Sequence, residues 1–413
     1  KKARCVCNGR PSNKNTAIFG YTYAKALDQV GAKIFWALVA AKGLIVRGAD
    51  ASKAFAEAEA PKIPLYVKID QQYRDWWESK GRKDIPHNYV LPVKKALQGH
   101  PEAPRAWATL INNILTTKLK FKPTTHEPCL YSGTFNGEDI LFLRQVDDFA
   151  VACKTDATAQ AVIAAIDQEM TIDIKDLGRL NRFNGVDITQ SSRFVKMNNA
   201  TYIDKIVQEH EWMVKDVHLP NVMIPMNDDK EHIRLIETST GPDDEEDRIA
   251  LQKRMGFNYR QAVGELIFAM VTCRPDISFP VIKLSQYSQN PAEIHYQAII
   301  QIFQYLYTTK TRGIVFWRQT RHPSLPDEEI TLSDHVTFDQ VHIDEKETIH
   351  ACVDSDWAGD VKHRKSVSGI VIKLAGAAIL YKTKYQDTVA LSSTEAEFSA
   401  ACEAGKSILY IRS

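Results

Sequence analysis

The chain has 413 residues, of which 44% are hydrophobic and 25% charged, and its formal net charge is +1. This length predicts two or three domains, and the near-neutral charge argues against a polyelectrolyte that coats nucleic acid, although it is compatible with a local basic groove. No apolar run approaches the ~20 residues that span a bilayer. Seven scattered cysteines without a Cys-x-x-Cys pair predict reduced thiols of an intracellular protein.

The first elements along the chain are predicted from helical spacing. Residues 34–41 form an apolar run followed by Gly43, which is typical of a core helix with a glycine stop. A second helix is expected after Pro104, because apolar residues recur there at helical spacing. These residues are Trp107, Leu110, Ile111 and Ile114. We expect such faces to form the core and not to touch a substrate.

A β-hairpin and a capped helix are predicted next. Residues 130–135 and 139–146 are strand-like and flank Asn136-Gly137, a pair that favours a two-residue hairpin turn. Thr155 precedes a helical pattern and is suited to cap it. The apolar face of that helix comprises Ala159, Val162, Ile163 and Ile166.

The second half of the chain predicts more helix. Helical patterns cover residues 259–270 and 291–309, and the acidic stretch 241–247 predicts a surface loop. Residues 322–346 contain prolines and many acids and predict a linker or an insertion. Three strands and then a helix from about residue 394 are expected near the carboxyl end, with the strands at 349–353, 368–374 and 378–382.

The most informative feature is a pair of adjacent aspartates, Asp147 and Asp148, between two short apolar runs. Two strands joined by a tight turn would present both carboxylates at the hairpin tip. Buried like charges rarely stay ionised unless a positive charge lies between them, and carboxylate oxygens suit Mg²⁺. A third aspartate, Asp50, ends the apolar run at residues 44–49. A strand-end aspartate beside such a pair is the constellation used in two-metal phosphoryl transfer.

With these motifs in place, the sequence resembles the reverse transcriptases of copia-type long-terminal-repeat retrotransposons. The resemblance covers almost the whole chain, and the matching segments follow the family's order. They are residues 2–9, DASKAF at 50–55, KKALQGHPEAPRAW at 94–107, QVDD at 145–148, KDLG at 175–178, FNGVDI at 183–188, YRQAVG at 259–264, TCRPDI at 272–277, DSDWAGD at 354–360, SVSG at 366–369 and SSTEAEF at 392–398. The family usually has Tyr where this chain has Gln145, and an apolar residue where it has Asn184.

The resemblance implies a polymerase site. Asp50 and Asp147 would hold two Mg²⁺ ions, while Asp148 would shape the site more than it ligates. Phe55 would lie beneath the incoming sugar and exclude a 2′-hydroxyl, whereas an ordinary core Phe is the alternative. The remaining residues implied to bind nucleotide are Arg4, Gln98 and Gly99, and those implied to form the primer grip are Phe183, Asn184 and Gly185. A solvated surface arginine stays an open alternative for Arg4.

The resemblance also implies a ribonuclease H. Asp354 on a strand and Glu397 on the following helix would bind a metal pair that cleaves the RNA of an RNA–DNA hybrid, with Asp356 as an alternative to Asp354. The chain ends at Ser413, before the expected third carboxylate, and begins without a Met. We therefore expect a piece of a longer polyprotein with an incomplete nuclease.

The resulting fold prediction is α+β: a right-hand polymerase of fingers, palm and thumb, a connection region, and an incomplete RNase H-like α/β domain. The expected boundaries are residues 1–200 for fingers and palm, 201–345 for thumb and connection, and 346–413 for the nuclease.

The expected cofactor is Mg²⁺, with Mn²⁺ as an alternative ion, and the expected partners are an RNA template, a DNA primer, an RNA–DNA hybrid and dNTPs. No membrane is expected as a partner. A homodimer and association with other polyprotein parts stay open, and we expect an intracellular location in a cytoplasmic virus-like particle. Two other readings keep the fold without the activity: a decayed or domesticated copy, and a non-enzymatic nucleic-acid-binding module. The three aspartates argue against both, because a pure binder of phosphates has no use for converging carboxylates.

Overall fold

The computed structural model describes residues 22–60, 66–210, 222–328, 348–360 and 363–412. The chain divides into two compact units. The first comprises the described residues up to Leu27 together with Val46–Arg179, and the second comprises Asp28–Ile45 and the described residues from Leu180 onward. Helix α1 (Gln29–Ala41) belongs to the second unit and is followed by Gly43 with φ 63°, so the predicted core helix with a glycine stop is confirmed.

The first unit mixes helices with strands, four of which follow one another along the chain, and contains a small two-stranded ribbon. In chain order they are β1 (Ile45–Asp50), α2 (Ala54–Glu57), β2 (Tyr66–Lys68), α3 (Gln71–Ser79), β3 (Val90–Pro92), α4 (Ala103–Asn113) with a π-helical continuation (Ile114–Lys118), β4 (Lys122–Pro123), β5 (Leu130–Phe135), β6 (Glu138–Gln145), β7 (Asp148–Cys153), α5 (Asp156–Asp167) and β8 (Lys175–Arg179).

Six of these strands form one sheet in the order β4-β5-β6-β7-β1-β8, and β2 pairs with β3 separately. The predicted hairpin is confirmed: Asn136 and Gly137 join β5 to β6, and both have positive φ, the backbone conformation that Asn-Gly turns require. Thr155 accepts a hydrogen bond from the Thr158 amide and caps α5, as predicted. The largest buried side chains of this core are Trp107, Phe121, Tyr131, Phe142 and Phe149.

The second unit contains two further sheets and most of the helices. Its elements after α1 are β9 (Arg182–Phe183), β10 (Val186–Gln190), β11 (Phe194–Asn198), α6 (Ala200–Glu209), α7 (Lys230–Thr238), α8 (Glu245–Met255), α9 (Tyr259–Thr272), a 3₁₀ turn (Pro275–Ile277), α10 (Ser278–Ser285), α11 (Glu293–Thr308), β12 (Gly313–Trp317), β13 (His350–Ser355), β14 (Val367–Leu374), β15 (Ala377–Tyr385) and α12 (Ser393–Arg412).

The two sheets of this unit have the orders β12-β11-β10-β9 and β13-β14-β15. Helix α12 packs on β13 and β14, and α1 packs on β15, β12 and β11. The three predicted carboxyl-terminal strands and the helix after them are therefore confirmed. The helices α6 to α11 enclose a separate apolar core that includes Leu266, Ile299 and Phe303.

One local prediction is wrong. The acidic stretch 241–247 was expected to be a loop throughout, but α8 begins at Glu245. Three acids in its first turn, Glu245, Glu246 and Asp247, lie where the helix dipole favours negative charge. Of the predicted linker, residues 322–328 are irregular, and most of the remainder lies outside the described residues.

Candidate active site

The hairpin formed by β6 and β7 ends in a two-residue turn. Gln145 pairs with Asp148, so Val146 and Asp147 form the turn itself. Val146 has φ 55° and is 37% exposed. A left-handed conformation is rare for a β-branched residue and costs about 1–2 kcal/mol, so the surrounding contacts must stabilise this turn.

Strand β1 brings Asp50 to the same end of the sheet. Strand β1 neighbours β7 in the sheet, and the Ala51 amide donates a hydrogen bond to the Asp147 carbonyl oxygen at 2.9 Å. Burial raises the pKa of Asp148, and the charges of Asp147 and Asp50 raise it further. Asp50 and Asp147 are thus both close enough to Asp148 to repel its charge. The sheet brings these two residues to the same end although they are 97 positions apart in the sequence.

The arrangement of these carboxylates fits a divalent cation electrostatically. Three acids are drawn to one sheet end, and the two charges that act on Asp148 are both negative, so a bound cation would relieve their repulsion. In the part of the chain that the structure describes, no three His, Cys, Asp or Glu side chains are gathered as metal ligands. Asp50 instead accepts a hydrogen bond from the Ser52 hydroxyl at 2.7 Å.

Trp107 supports the hairpin tip. Its indole Nε1–H donates to the Val146 carbonyl oxygen at 2.6 Å, and its ring stacks on Phe149 with centroids 6.4 Å apart. Helix α4, which carries Trp107, therefore holds the turn from the core side. The sequence placed Trp107 in a buried helix face but gave no sign of this hydrogen bond, because the two partners are 39 residues apart.

Gln145 holds the same turn at its strand end. The Leu27 amide donates to Gln145 Oε1 at 3.1 Å. Gln145, at the position where the family usually has Tyr, therefore places its amide group against the backbone at Leu27, which is distant in sequence. The sequence offered no sign of this contact either.

The residues expected to bind nucleotide lie in the same unit. Phe55 lies half-buried in the short helix α2 and packs against the core; this helix begins directly after Lys53, which has φ 64°. Gln98 and Gly99 are exposed, and Gly99 has φ 85°, a conformation suited to glycine. Arg4 and the other residues of the segment 2–9 lie outside the described residues.

The predicted primer-grip residues form a tight turn in the second unit. Asn184 has φ 49° and Gly185 has φ 78°, and together they join β9 to β10. Asn tolerates the left-handed region better than an apolar residue, which explains Asn184 at this position. Phe183 is buried, so its ring contributes to the interior of this unit.

One of the two predicted nuclease carboxylates, Glu397, contacts the edge strand β13 at the residue after Asp354. Glu397, in the second turn of α12, accepts a hydrogen bond on Oε1 from the Ser355 amide at 3.2 Å. Asp354 is the residue before Ser355 and is exposed. It lines a cleft of about 290 Å³ with Gly369, Tyr381 and other residues. The carboxylate of the alternative residue, Asp356, accepts a hydrogen bond from the Val367 amide.

Comparison with known proteins defines the class. Residues 1–226 match the family described as Reverse transcriptase (RNA-dependent DNA polymerase), and this match covers more than half of the chain. The chain therefore belongs to the reverse transcriptase family. Among the helices that the structure describes, none has the length and apolar composition needed to cross a bilayer.

The relatives narrow the family to copia-type elements. The chain is 27% identical over 417 residues to the Retrovirus-related Pol polyprotein from transposon TNT 1-94 of Nicotiana tabacum, covering 100% of this chain and 27% of the relative. It is 26% identical over 412 residues to that from transposon RE1 of Arabidopsis thaliana, covering 99% and 24%. It is 28% identical over 323 residues to a putative transposon Ty5-1 protein of Saccharomyces cerevisiae, covering 76% and 89%. The chain spans about a quarter of the two plant polyproteins and is a copia-type reverse transcriptase sequence.

Proposed function

We propose that the chain is an RNA-directed DNA polymerase that adds deoxynucleotides to a primer 3′-hydroxyl. The observation that carries the proposal is the convergence of Asp50, Asp147 and Asp148 at one end of the six-stranded sheet, where the Ala51 amide bonds to the Asp147 carbonyl. Three carboxylates at a single sheet edge are costly in a protein that only binds phosphates, because they repel the ligand. Metal-dependent phosphoryl transfer gives them a use.

In this proposal Asp50 and Asp147 hold two Mg²⁺ ions, or Mn²⁺, and Asp148 contributes negative charge beside them. Ions bound there would lower the pKa of the primer hydroxyl and stabilise charge on the triphosphate. The protein's own contribution is to fix the carboxylates through the hydrogen bond from Trp107 to the turn. Phe55 is proposed to exclude a 2′-hydroxyl, and Gly99 to allow close approach of the substrate to the backbone.

The template, primer and dNTPs are the substrates that the family suggests, and a cytoplasmic virus-like particle is the proposed location. A partial hybrid-specific ribonuclease H, which supplies two of the carboxylates that a metal pair needs, is the second candidate function. The contact between Glu397 and the backbone beside Asp354 favours it.

Primer extension on a homopolymer RNA template, with Mg²⁺, Mn²⁺ or chelator, tests the polymerase. We expect Asp147→Asn to lower the extension rate about a thousandfold, since it removes a proposed metal ligand and with it several kcal/mol of transition-state stabilisation. Hybrid binding by this variant should be largely unchanged.

The matched control is Asp139→Asn, which makes the same change at an exposed position near the other end of the same hairpin strand. Its extension rate should equal that of the unmodified chain. More than a tenth of the normal rate in Asp147→Asn would reject the assigned role.

A further inference from the structure

Residues 66–93 form a surface feature that the polymerase chemistry does not use. They lie between the segments at 50–55 and 94–107 and comprise the ribbon β2–β3, helix α3 and the loop after it. Three aromatic residues of α3 and one arginine of the loop form a cluster, here called the aromatic platform: Tyr73, Trp76, Trp77 and Arg82.

The rings of the platform are in mutual contact. The Tyr73 ring centroid lies 5.4 Å from that of Trp76 and 6.0 Å from that of Trp77, the latter pair being stacked. The guanidinium carbon of Arg82 lies 4.3 Å from the Trp77 ring centroid and 5.9 Å from that of Trp76. Arginine over a tryptophan face is a favourable cation–π arrangement.

Hydrogen bonds from α3 side chains fasten the loop that carries Arg82 to the helix. The Trp77 indole N–H donates to the Lys83 carbonyl oxygen at 2.8 Å. Arg74, which is 5% exposed, donates to the carbonyl oxygens of Ile85 and Pro86. The platform is therefore organised in advance, and a ligand would bind without ordering the loop first.

The outer part of the platform is open to solvent. Trp76 is 47% exposed, and Tyr66 in β2 and Tyr89 directly before β3 are 58% and 59% exposed. Trp77 is half-buried by its contacts within the platform, and these contacts account for an aromatic residue at this position. The same contacts leave much of the Trp76 ring exposed to solvent. Exposed aromatic residues grouped in this way are typical of binding surfaces.

Charge indicates the kind of ligand. Residues 66–93 as a whole have five Lys and Arg against four Asp and Glu, but the stretch 80–83 directly after α3 contains three cations and no acid. Lys80, Arg82 and Lys83 are exposed beside the aromatic rings. Aromatic rings that stack on bases, interleaved with cations that pair with phosphates, are the chemistry by which single-stranded nucleic acids are bound without sequence preference.

We propose that the aromatic platform binds single-stranded nucleic acid, with Trp76 stacking on a base and Arg82 contacting the backbone phosphate. As an extension that rests on the proposed polymerase function, the bound strand is the unpaired part of the template. A protein partner is less suited to this surface, because the exposed cations flank the rings on the same loop.

The first experiment measures binding of a fluorescein-labelled oligouridylate of about 12 nucleotides, within the range of single-strand site sizes, by fluorescence anisotropy. We expect Trp76→Leu to weaken binding fivefold or more, about 1 kcal/mol for one lost stack, and Trp76→Phe to restore most of it. Arg82→Gln should reduce the slope of log K against log salt by about 0.7.

The matched control is Tyr410→Ala, which removes an exposed aromatic ring of similar exposure, 43%, from α12. Its affinity should be unchanged. Equal affinities for Trp76→Leu and the unmodified chain would overturn the proposal. If Trp76→Leu instead abolished self-association in sedimentation while oligonucleotide affinity stayed constant, the platform would be a protein interface, and the proposal would equally be overturned.

A second experiment separates the platform from the catalytic site. Primer extension by Trp76→Leu is compared on templates with single-stranded overhangs of one and of about 12 nucleotides. We expect normal extension on the short overhang and a raised KM on the long one. Absence of extension in the unmodified chain would count against the polymerase but leave the binding result intact. An equal KM on both templates would refute the template assignment.

Discussion

The hydrogen bond from Trp107 to the hairpin tip gives the sharpest test of how the fold positions the candidate site. Trp107→Phe keeps an aromatic ring next to Phe149 but removes the N–H that binds the Val146 carbonyl at 2.6 Å. The net loss of this part-buried hydrogen bond costs about 1 kcal/mol, because Val146 is 37% exposed and water can reach the turn, and the smaller ring adds a cavity. We expect the loss to appear at the turn, because Val146 already has an unfavourable left-handed conformation.

Tyr131→Phe is the matched control for this change. Tyr131 is buried in the same core, and its hydroxyl shares a hydrogen bond of 3.0 Å with Asn112, on helix α4 and away from the tip. Both variants should lose stability, measured by amide hydrogen exchange in β6 and β7. Only Trp107→Phe should also lower kcat for primer extension, by about tenfold, which corresponds to about 1.4 kcal/mol. A kcat loss as large in Tyr131→Phe would refute the argument, since it would reflect general destabilisation.

Three further outcomes are expected. Phe55→Val should admit ribonucleotides if its ring lies under the sugar, and an unchanged ratio of dNTP to rNTP incorporation would make Phe55 a core residue only. Burial lowers the pKa of Lys33 to about 8, while the charges of Cys273 and Asp28 oppose the shift. Because the unfolded chain binds this proton more tightly than the folded one, the free energy of unfolding should rise with pH above about 8. Lys33→Met should abolish that rise, as measured by chemical denaturation at a series of pH values. The 413-residue chain should extend primers without degrading a labelled hybrid, because Asp354 and Glu397 supply only two carboxylates and a metal pair needs more ligands to be held in place; hybrid cleavage that disappears in Glu397→Gln would contradict this.

The sequence predicted best those elements that local chemistry determines. Asn136-Gly137 specifies a turn that few other dipeptides form, and Thr155 satisfies a helix amide three residues away. The wrong prediction at 241–247 has an equally local origin: a run of acids predicts a solvated loop, but three of these acids lie in the first turn of α8, where the helix dipole favours negative charge.

The candidate site was predictable only in part. Motif order placed Asp50, Asp147 and Asp148 together, and the sheet order β7-β1 brings them to one end, although their chemical roles remain predictions. The sequence could not reveal the contacts that fix the turn, because they join residues 39 and 118 positions apart. It also gave no reason to single out Trp76 and Arg82, whose significance depends on exposure and on the distance between a ring and a guanidinium group.

These long-range contacts bear on whether the fold serves catalysis or only binding. The turn combines a left-handed Val146 with neighbouring carboxylates that repel one another, and both features cost stability. Trp107 and Gln145 supply the opposing contacts, one from helix α4 and one through the Leu27 amide. A nucleic-acid-binding module would be more stable, and would bind phosphates better, with a relaxed and uncharged turn. The stability cost of this turn is explained if the carboxylates must be held at fixed positions for a metal ion. A polymerase has this requirement, whereas a module that only binds nucleic acid does not.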